Sequence, residues 1–254
     1  MIAKDNAMSL FRKKPAPTTP LLAPTINGPG ISLDKLPSGL VSLAKTAAIS
    51  LEKSSLTGQR AAVHLVVDHS GSMHRFYTNG SVQRLAAQAL GLSVNLDDDG
   101  IVPLIFFGSR VEEWEDIRLD NYAGVVDRAH QRVHWGSTDY VAAMRHVIAM
   151  QRESGSTAPA FVIFQTDGEP DDRGATERLL REASSLPIFW AFVGFGNNIS
   201  FLEKLDDLRG RQVDNASFFH AREPHAVTDA ELYDGLTHDY AGWLAAASAA
   251  GILR

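Results

Sequence analysis

The chain has 254 residues, a formal net charge of −6 and 44% apolar residues. That balance suits one domain with a sizeable buried core, and its mild acidity excludes the concentrated basic face that non-specific nucleic-acid binding needs. The absence of cysteine excludes disulfides and thiolate metal sites, and fits a reducing cytosol.

No apolar stretch is long enough to span a membrane. The order of residues from Met1 to Ala7, with Arg12-Lys13-Lys14 running into prolines, is not that of a signal peptide, so a cytoplasmic location is expected. Met8 is an alternative start. Residues 1–30 read as a flexible arm, with Pro15 to Pro29 rich in Pro, Thr and Gly. Pro15 to Pro24 reads as a plain tether rather than a docking peptide.

Residues 31–57 carry Leu36, Leu40, Leu43, Ala44, Ala47, Ala48 and Leu51 at helical spacing. Pro37 and Gly39 place the helix start near Leu40, and the helix is expected to dock on the main domain. A membrane-surface helix is the rival, but the apolar side is too alanine-rich for strong insertion. The main domain is expected over residues 58–254. Ala61 to Val67 is nearly continuously apolar, as a parallel strand buried on both faces should be. Ile101 to Phe107, Ala160 to Gln165, Ile188 to Val193 and Ala216 to His220 repeat the pattern. Helices are expected at Val82 to Leu96, Asp139 to Arg152, Gly174 to Ser185 and Ser200 to Leu208. A final amphipathic helix is expected over Ala230 to Ala250. Val111 to Leu119 reads as an added edge strand and Asn121 to His130 as a short helix. The alternation predicts an α/β fold: a doubly wound, mostly parallel sheet with right-handed crossovers, flanked by helices and preceded by a helical extension. Ligands in such folds bind at the carboxyl ends of strands.

The first strand ends in Asp68-His69-Ser70-Gly71-Ser72-Met73. Asp, Ser and Ser at alternate positions on a tight loop can turn three oxygens to one side, which suits a hard divalent cation. Alone the pattern is weak, because Ser and Asp are common turn residues. Gly136-Ser137-Thr138-Asp139 adds a third hydroxyl at Thr138. Thr166-Asp167-Gly168 adds Asp167 at the carboxyl end of another central strand. Asp68, Ser70, Ser72, Thr138 and Asp167 together resemble the complete metal-ion-dependent adhesion site of von Willebrand factor A domains, over roughly Ala61 to Ala221. More narrowly, the chain resembles A-domain proteins of bacterial tellurium-resistance and stress gene clusters. Leu40-Val41-Ser42-Leu43-Ala44-Lys45, Asn79-Gly80-Ser81-Val82, Asp97-Asp98-Asp99-Gly100, Leu119-Asp120-Asn121-Tyr122 and the tail from Trp243 to Leu253 carry that resemblance.

The resemblance implies direct ligation by Ser70 and Ser72, and ligation by Thr138 directly or through water. It implies that Asp68 and Asp167 act mainly through water and by orienting the hydroxyls. Mg²⁺ is the expected ion, with Mn²⁺ or Ca²⁺ as alternatives. The implied partner is a protein supplying a carboxylate, such as a separate calcium-binding protein of the tellurium-resistance type. The function expected is a non-enzymatic interaction module of a cytoplasmic stress complex, with no catalytic residues. A metal-dependent hydrolase is the rival. However, dehalogenase-type phosphatases need an acid where Ser70 stands, and neither a phosphate-cradling loop nor a Gly-x-Ser-x-Gly elbow occurs. A scaffold with a vestigial site is a third reading.

Other groups have plainer readings. His69 and His74 are expected to be solvated loop residues rather than pH sensors. His130 and His134 have the spacing of a zinc pair but adjoin a loop. Asp97 to Gly100 reads as a helix-to-strand turn rather than a calcium loop. Glu169, Asp171 and Asp172 crowd the third loop, where they would raise cation affinity, repel an acidic partner or cap the next helix. Phe195 to Asn198 is expected to add a loop at the ligand-binding end.

Overall fold

The computed structural model describes residues 30–113 and 115–253; the expected arm up to residue 29, with the Pro15–Pro24 tether, lies outside them. Seven residues, Ala62–Asp68, form β1. Beyond it come β2 (Ile101–Val102), β3 (Leu104–Phe107), β4 (Val111–Glu113) and β5 (Ile117–Arg118). Ala160–Thr166 is β6, Ile188–Phe195 is β7 and Ala216–Ala221 is β8. Six strands make one sheet in the order β4-β3-β1-β6-β7-β8. Its five central and right-hand strands are parallel, and only the short edge strand β4 is antiparallel, against β3. The sheet is therefore mostly parallel and doubly wound, as expected.

Chain order runs from β1 to β3 on one side, then to β6 on the other, so strand order reverses beside β1. This reversal leaves a crevice outside the carboxyl ends of β1 and β6. β1, β6 and β7 are buried on both faces because helices cover both sides. One face carries α1 (Ser38–Lys53), α3 (Ser81–Leu96), α4 (Val125–Ala129), α8 (Asp229–Thr237) and α9 (Tyr240–Ala249), packed on Val63, Leu65, Val67, Phe161 and Phe189. The other carries α5 (Tyr140–Glu153), α6 (Arg173–Ala183) and α7 (Ser200–Asp206), packed on Val66, Val162, Phe164, Trp190 and Phe192. A further short helix, α2 (His74–Thr78), follows β1 and its loop. Among the described residues, no helix is long and apolar enough to cross a membrane.

α1 lies against α3 and α8. Asn95 donates to the Ala44 carbonyl at 3.0 Å, and Asp234 accepts from Ser50 at 2.5 Å and from Lys53 at 3.0 Å. Gly91 on α3 permits the approach, since a Cβ there would sit 2.7 Å from the Cβ of Leu43 and 2.8 Å from the Tyr233 hydroxyl.

The expected short helix Asn121 to His130 narrows to α4, which starts after left-handed Gly124, and four further elements differ from expectation. α1 begins at Ser38 rather than Leu40, because Pro37 serves as its N-cap and Gly39 fits within the first turn. The run Ile101 to Phe107 is two strands, because Pro103 lacks an N–H to continue the ladder. The expected edge strand splits: β4 extends the main sheet while β5 pairs with β2 in a separate ribbon. The expected final helix is two, α8 and α9, separated at His238-Asp239. The capping box of Thr228 and Glu231 opens the first of them.

One polar residue interrupts β1. His64 is buried, and neither of its ring nitrogens has a hydrogen-bond partner. Burial disfavours the imidazolium and depresses its pKa from 6.5 to about 4. Folding thus keeps the ring neutral while the unfolded chain protonates it below pH 6.5. Stability from this term is complete above pH 6.5 and falls by about 3 kcal/mol as pH drops to 4. Urea unfolding of wild type and His64→Val at pH 7 and pH 4.5 should show the wild type losing more stability on acidification. Parallel losses in both proteins would contradict this assignment.

Candidate metal site

Oxygen-bearing side chains meet at the carboxyl end of β1. Asp68, the last residue of β1, is fully buried. Its carboxylate accepts from the Ser70 backbone N–H at 2.7 Å and from the Thr166 hydroxyl, at the end of neighbouring β6, at 2.5 Å. The first contact closes an Asx-type turn that folds the loop back over the strand end. Gly71 and Ser72 then enter a single 3-10 turn, which brings the Ser72 Oγ within 3.2 Å of the Ser70 Oγ. Ser72 also donates to the Asp167 carboxylate at 2.7 Å. Asp68, Ser70 and Asp167 are buried, whereas Ser72 is exposed and marks the mouth of the site.

The Thr138 loop is fastened to this group by its backbone. Ser70 forms a parallel bridge with Gly136, whose N–H donates to the His69 carbonyl at 3.1 Å. Gly136 also packs tightly on the loop after β3, where a Cβ would lie 2.3 Å from the Ser109 nitrogen. Asp171 accepts from the Thr138 N–H at 3.1 Å and from the Ser137 hydroxyl at 2.6 Å. Asp139 caps α5 through the Ala142 N–H. Four of the five expected residues are thus joined in one hydrogen-bonded group around Asp68, Ser70, Ser72 and Asp167. Thr138 is half-buried beside them, held through its own main chain and its neighbours.

Burial raises the Asp68 pKa from 3.8 to about 6, opposed by its two hydrogen bonds and reinforced by the negative charge of Asp167. Burial also raises Asp167, against the lowering effects of Ser72 and Arg75. Two desolvated carboxylates facing the hydroxyls of Ser70, Ser72 and Thr166 form a hard-oxygen set short of positive charge, which a divalent cation fits. Among the described residues, no group of three or more His, Cys, Asp or Glu side chains is placed to hold a metal. Metal binding here would therefore depend on the hydroxyls.

The crowded acids have structural roles. Asp172 caps α6 through the Ala175 N–H, Asp171 staples the Thr138 loop, and Glu169 pairs with Arg173 and accepts from Ser200. Asp97 and Asp99 cap an ordinary turn by accepting from the Asp98 and Ile101 N–H groups.

The expectation for His69 fails. The ring is fully buried, stacked under Trp135 with centroids 3.7 Å apart, because the Val133–Trp135 segment folds over it. Its Nδ1 faces the His134 carbonyl at 3.2 Å, and burial lowers its pKa to about 4, leaving it neutral. His74 is exposed, as expected. His130 lies in a 3-10 turn against Tyr77, while His134 is exposed beside Arg110 and Glu112; they share no helix face. Thr166, Tyr77 and Tyr140 were not singled out from sequence. Thr166 bonds Asp68, Tyr77 donates to the Asp68 carbonyl at 2.8 Å, and Tyr140 donates to the Gly168 carbonyl at 2.6 Å. Thr166, immediately before Asp167, had a signal in its place at the end of β6. The tyrosines had none, since they reach the site through tertiary packing.

Residues 60–253 match the model of the vWA-TerF-like family, described as the vWA found in the TerF C terminus. The chain belongs to this family. It is 36% identical over 216 residues to "Uncharacterized protein YcbR" of Bacillus subtilis (strain 168), covering 83% of this chain and 88% of that one. Among solved structures, it is similar to a von Willebrand factor type A protein from Catenulispora acidiphila, with a TM-score of 0.52 and 18% identity over 73% of this chain and 43% of that one. The pilus adhesin SpaC from Lactobacillus rhamnosus GG shares the fold at a TM-score of 0.50 and 15% identity, over 72% of this chain and 30% of the adhesin. The chain thus spans less than half the length of either solved protein, and at these identities the likeness concerns the fold alone.

Because the Asp68 pKa is raised, the folded protein binds its proton more tightly than the unfolded chain between pH 3.8 and 6. Without metal, this group therefore costs stability above pH 6 and the cost disappears as pH falls towards 4. Asp68→Asn should be more stable than wild type at pH 7.5 in chelator, by up to about 3 kcal/mol. The gap should close by pH 4. Denaturant titrations at both pH values read this directly, and a variant less stable than wild type at pH 7.5 would refute it.

Proposed function

We propose that this chain is a metal-dependent protein-interaction module. A divalent cation is held by Ser70, Ser72 and Thr138, with Asp68 and Asp167 orienting the hydroxyls and ordering water. Mg²⁺ is the first choice for a hydroxyl-rich set, with Mn²⁺ and Ca²⁺ as alternatives. The observation that carries this reading is the chain of contacts from Asp167 through Ser72 to Ser70, closed by the buried Asp68 carboxylate. A cation held mainly by neutral oxygens keeps most of its charge and attracts an acidic group into its remaining position.

The residues of the chain supply everything else. Asp68 fixes the loop through the Ser70 N–H, so both hydroxyls are in place before a ligand arrives. Exposed Ser72 leaves the mouth open to a partner. Ser70 stands where an acid/base partner of Asp68 would have to be, and this supports binding rather than turnover. The partner is a protein presenting a carboxylate, and a separate calcium-binding protein of tellurium-resistance gene clusters is the candidate. A cytoplasmic stress complex is the proposed setting.

Calorimetry with Mg²⁺ and Mn²⁺ on wild type and Asp68→Ala should give saturable one-site binding in wild type alone. Wild type that binds neither ion would contradict the metal-dependent reading. Equal binding by both proteins would place the ion elsewhere.

A further inference from the structure

Trp135 is 42% exposed, and among the described residues only Ile49 is another large apolar side chain so open to solvent. Ile49 lies on α1, away from the crevice. Trp135 immediately precedes Gly136, which bridges to Ser70, and its ring stacks on His69, between Asp68 and Ser70 in sequence. The two rings are nearly parallel, 15° apart, while Tyr77 meets the indole edge-on at 5.5 Å and His74 lies 5.5 Å away. The ring is therefore held flat on a buried platform at the rim of the oxygen site.

An aromatic ring ordered before binding loses little conformational freedom when covered, and such rings beside a charged contact are typical anchors of interfaces. Towards β7, on the far side of β1 and β6 from the Ser109 loop against which Gly136 packs, the exposed Arg75 guanidinium lies over the Phe76 ring at 4.4 Å and against Gly196. The rim thus combines an open aromatic face with a cationic one around a site for an anion.

We propose that Trp135 is a second recognition point of this surface, so that the partner segment supplying the carboxylate also carries a bulky apolar side chain next to it. The occupant is an acidic-apolar peptide segment of a partner protein, with the apolar residue lying on the Trp135 ring. This rests on the metal-dependent reading above.

The full chain, saturated with Mg²⁺, is titrated with two capped tetrapeptides, Gly-Asp-Phe-Gly and Gly-Asp-Gly-Gly. The readouts are affinity and the indole N–H resonance of Trp135, assigned by its loss in Trp135→Phe. The phenylalanine peptide should bind on the order of tenfold more tightly, as stacking and apolar burial together suggest, and should alone shift that resonance. Trp135→Ala should lose the preference while its Mg²⁺ affinity stays within about twofold of wild type. Equal affinities for the two peptides, or a preference that survives in Trp135→Ala, would overturn the proposal with the metal reading intact; binding of neither would overturn it together with the capture of a carboxylate. If the alanine variant misfolds, the wild-type resonance shift still decides. Failure of wild type to bind Mg²⁺ would instead remove the reading beneath it.

Discussion

Asp68 loses its water when β1 is buried between two helical layers, and one N–H and one hydroxyl replace that water. The N–H comes from Ser70 and sets the loop that carries both serines. The hydroxyl comes from Thr166 and joins the end of β1 to the end of β6, across the point where strand order reverses. The Thr138 loop is fastened to the same place by the bridge between Gly136 and Ser70. Those two hydrogen bonds do not fully offset the desolvation, as the raised Asp68 pKa records. The remaining electrostatic cost is one that a bound cation would relieve.

Much of this was legible in the chain. Parallel strands buried on both faces read as continuous apolar runs, so β1, β6 and β7 could be placed to within one or two residues at their ends, and the weaker run of edge strand β8 to within one. Asp68, Ser70 and Ser72 were legible because a strand end followed by Asp-x-Ser-x-Ser has few purely structural uses once Thr138 and Asp167 occur at other strand ends. Topology then accounts for their meeting, since each lies at a carboxyl end of the same sheet or at the start of the helix that follows.

What stayed hidden depends on tertiary contact. His69 in a loop beside serines has the local look of a solvated residue; only the fold of Val133 to Trp135 over it shows otherwise. The break between α8 and α9 falls in a stretch whose apolar spacing continues through it, so periodicity alone could not separate two helices. The split of the edge strand between two sheets is likewise a matter of pairing partners, which local pattern does not encode. Arg75 and Trp135 acquire meaning only from their places on opposite sides of one mouth.

The proposed cation lies in the crevice outside β1 and β6, among Asp68, Ser70, Ser72, Thr138 and Asp167. Paramagnetic broadening by Mn²⁺ in an assigned amide spectrum tests it most directly, because the effect falls steeply with distance from the ion. Sub-stoichiometric Mn²⁺ should erase the signals of Ser70 to Ser72, Thr138 and Gly168 first, and excess Mg²⁺ should restore them. Broadening centred on another part of the molecule, or signals that Mg²⁺ does not restore, would contradict it.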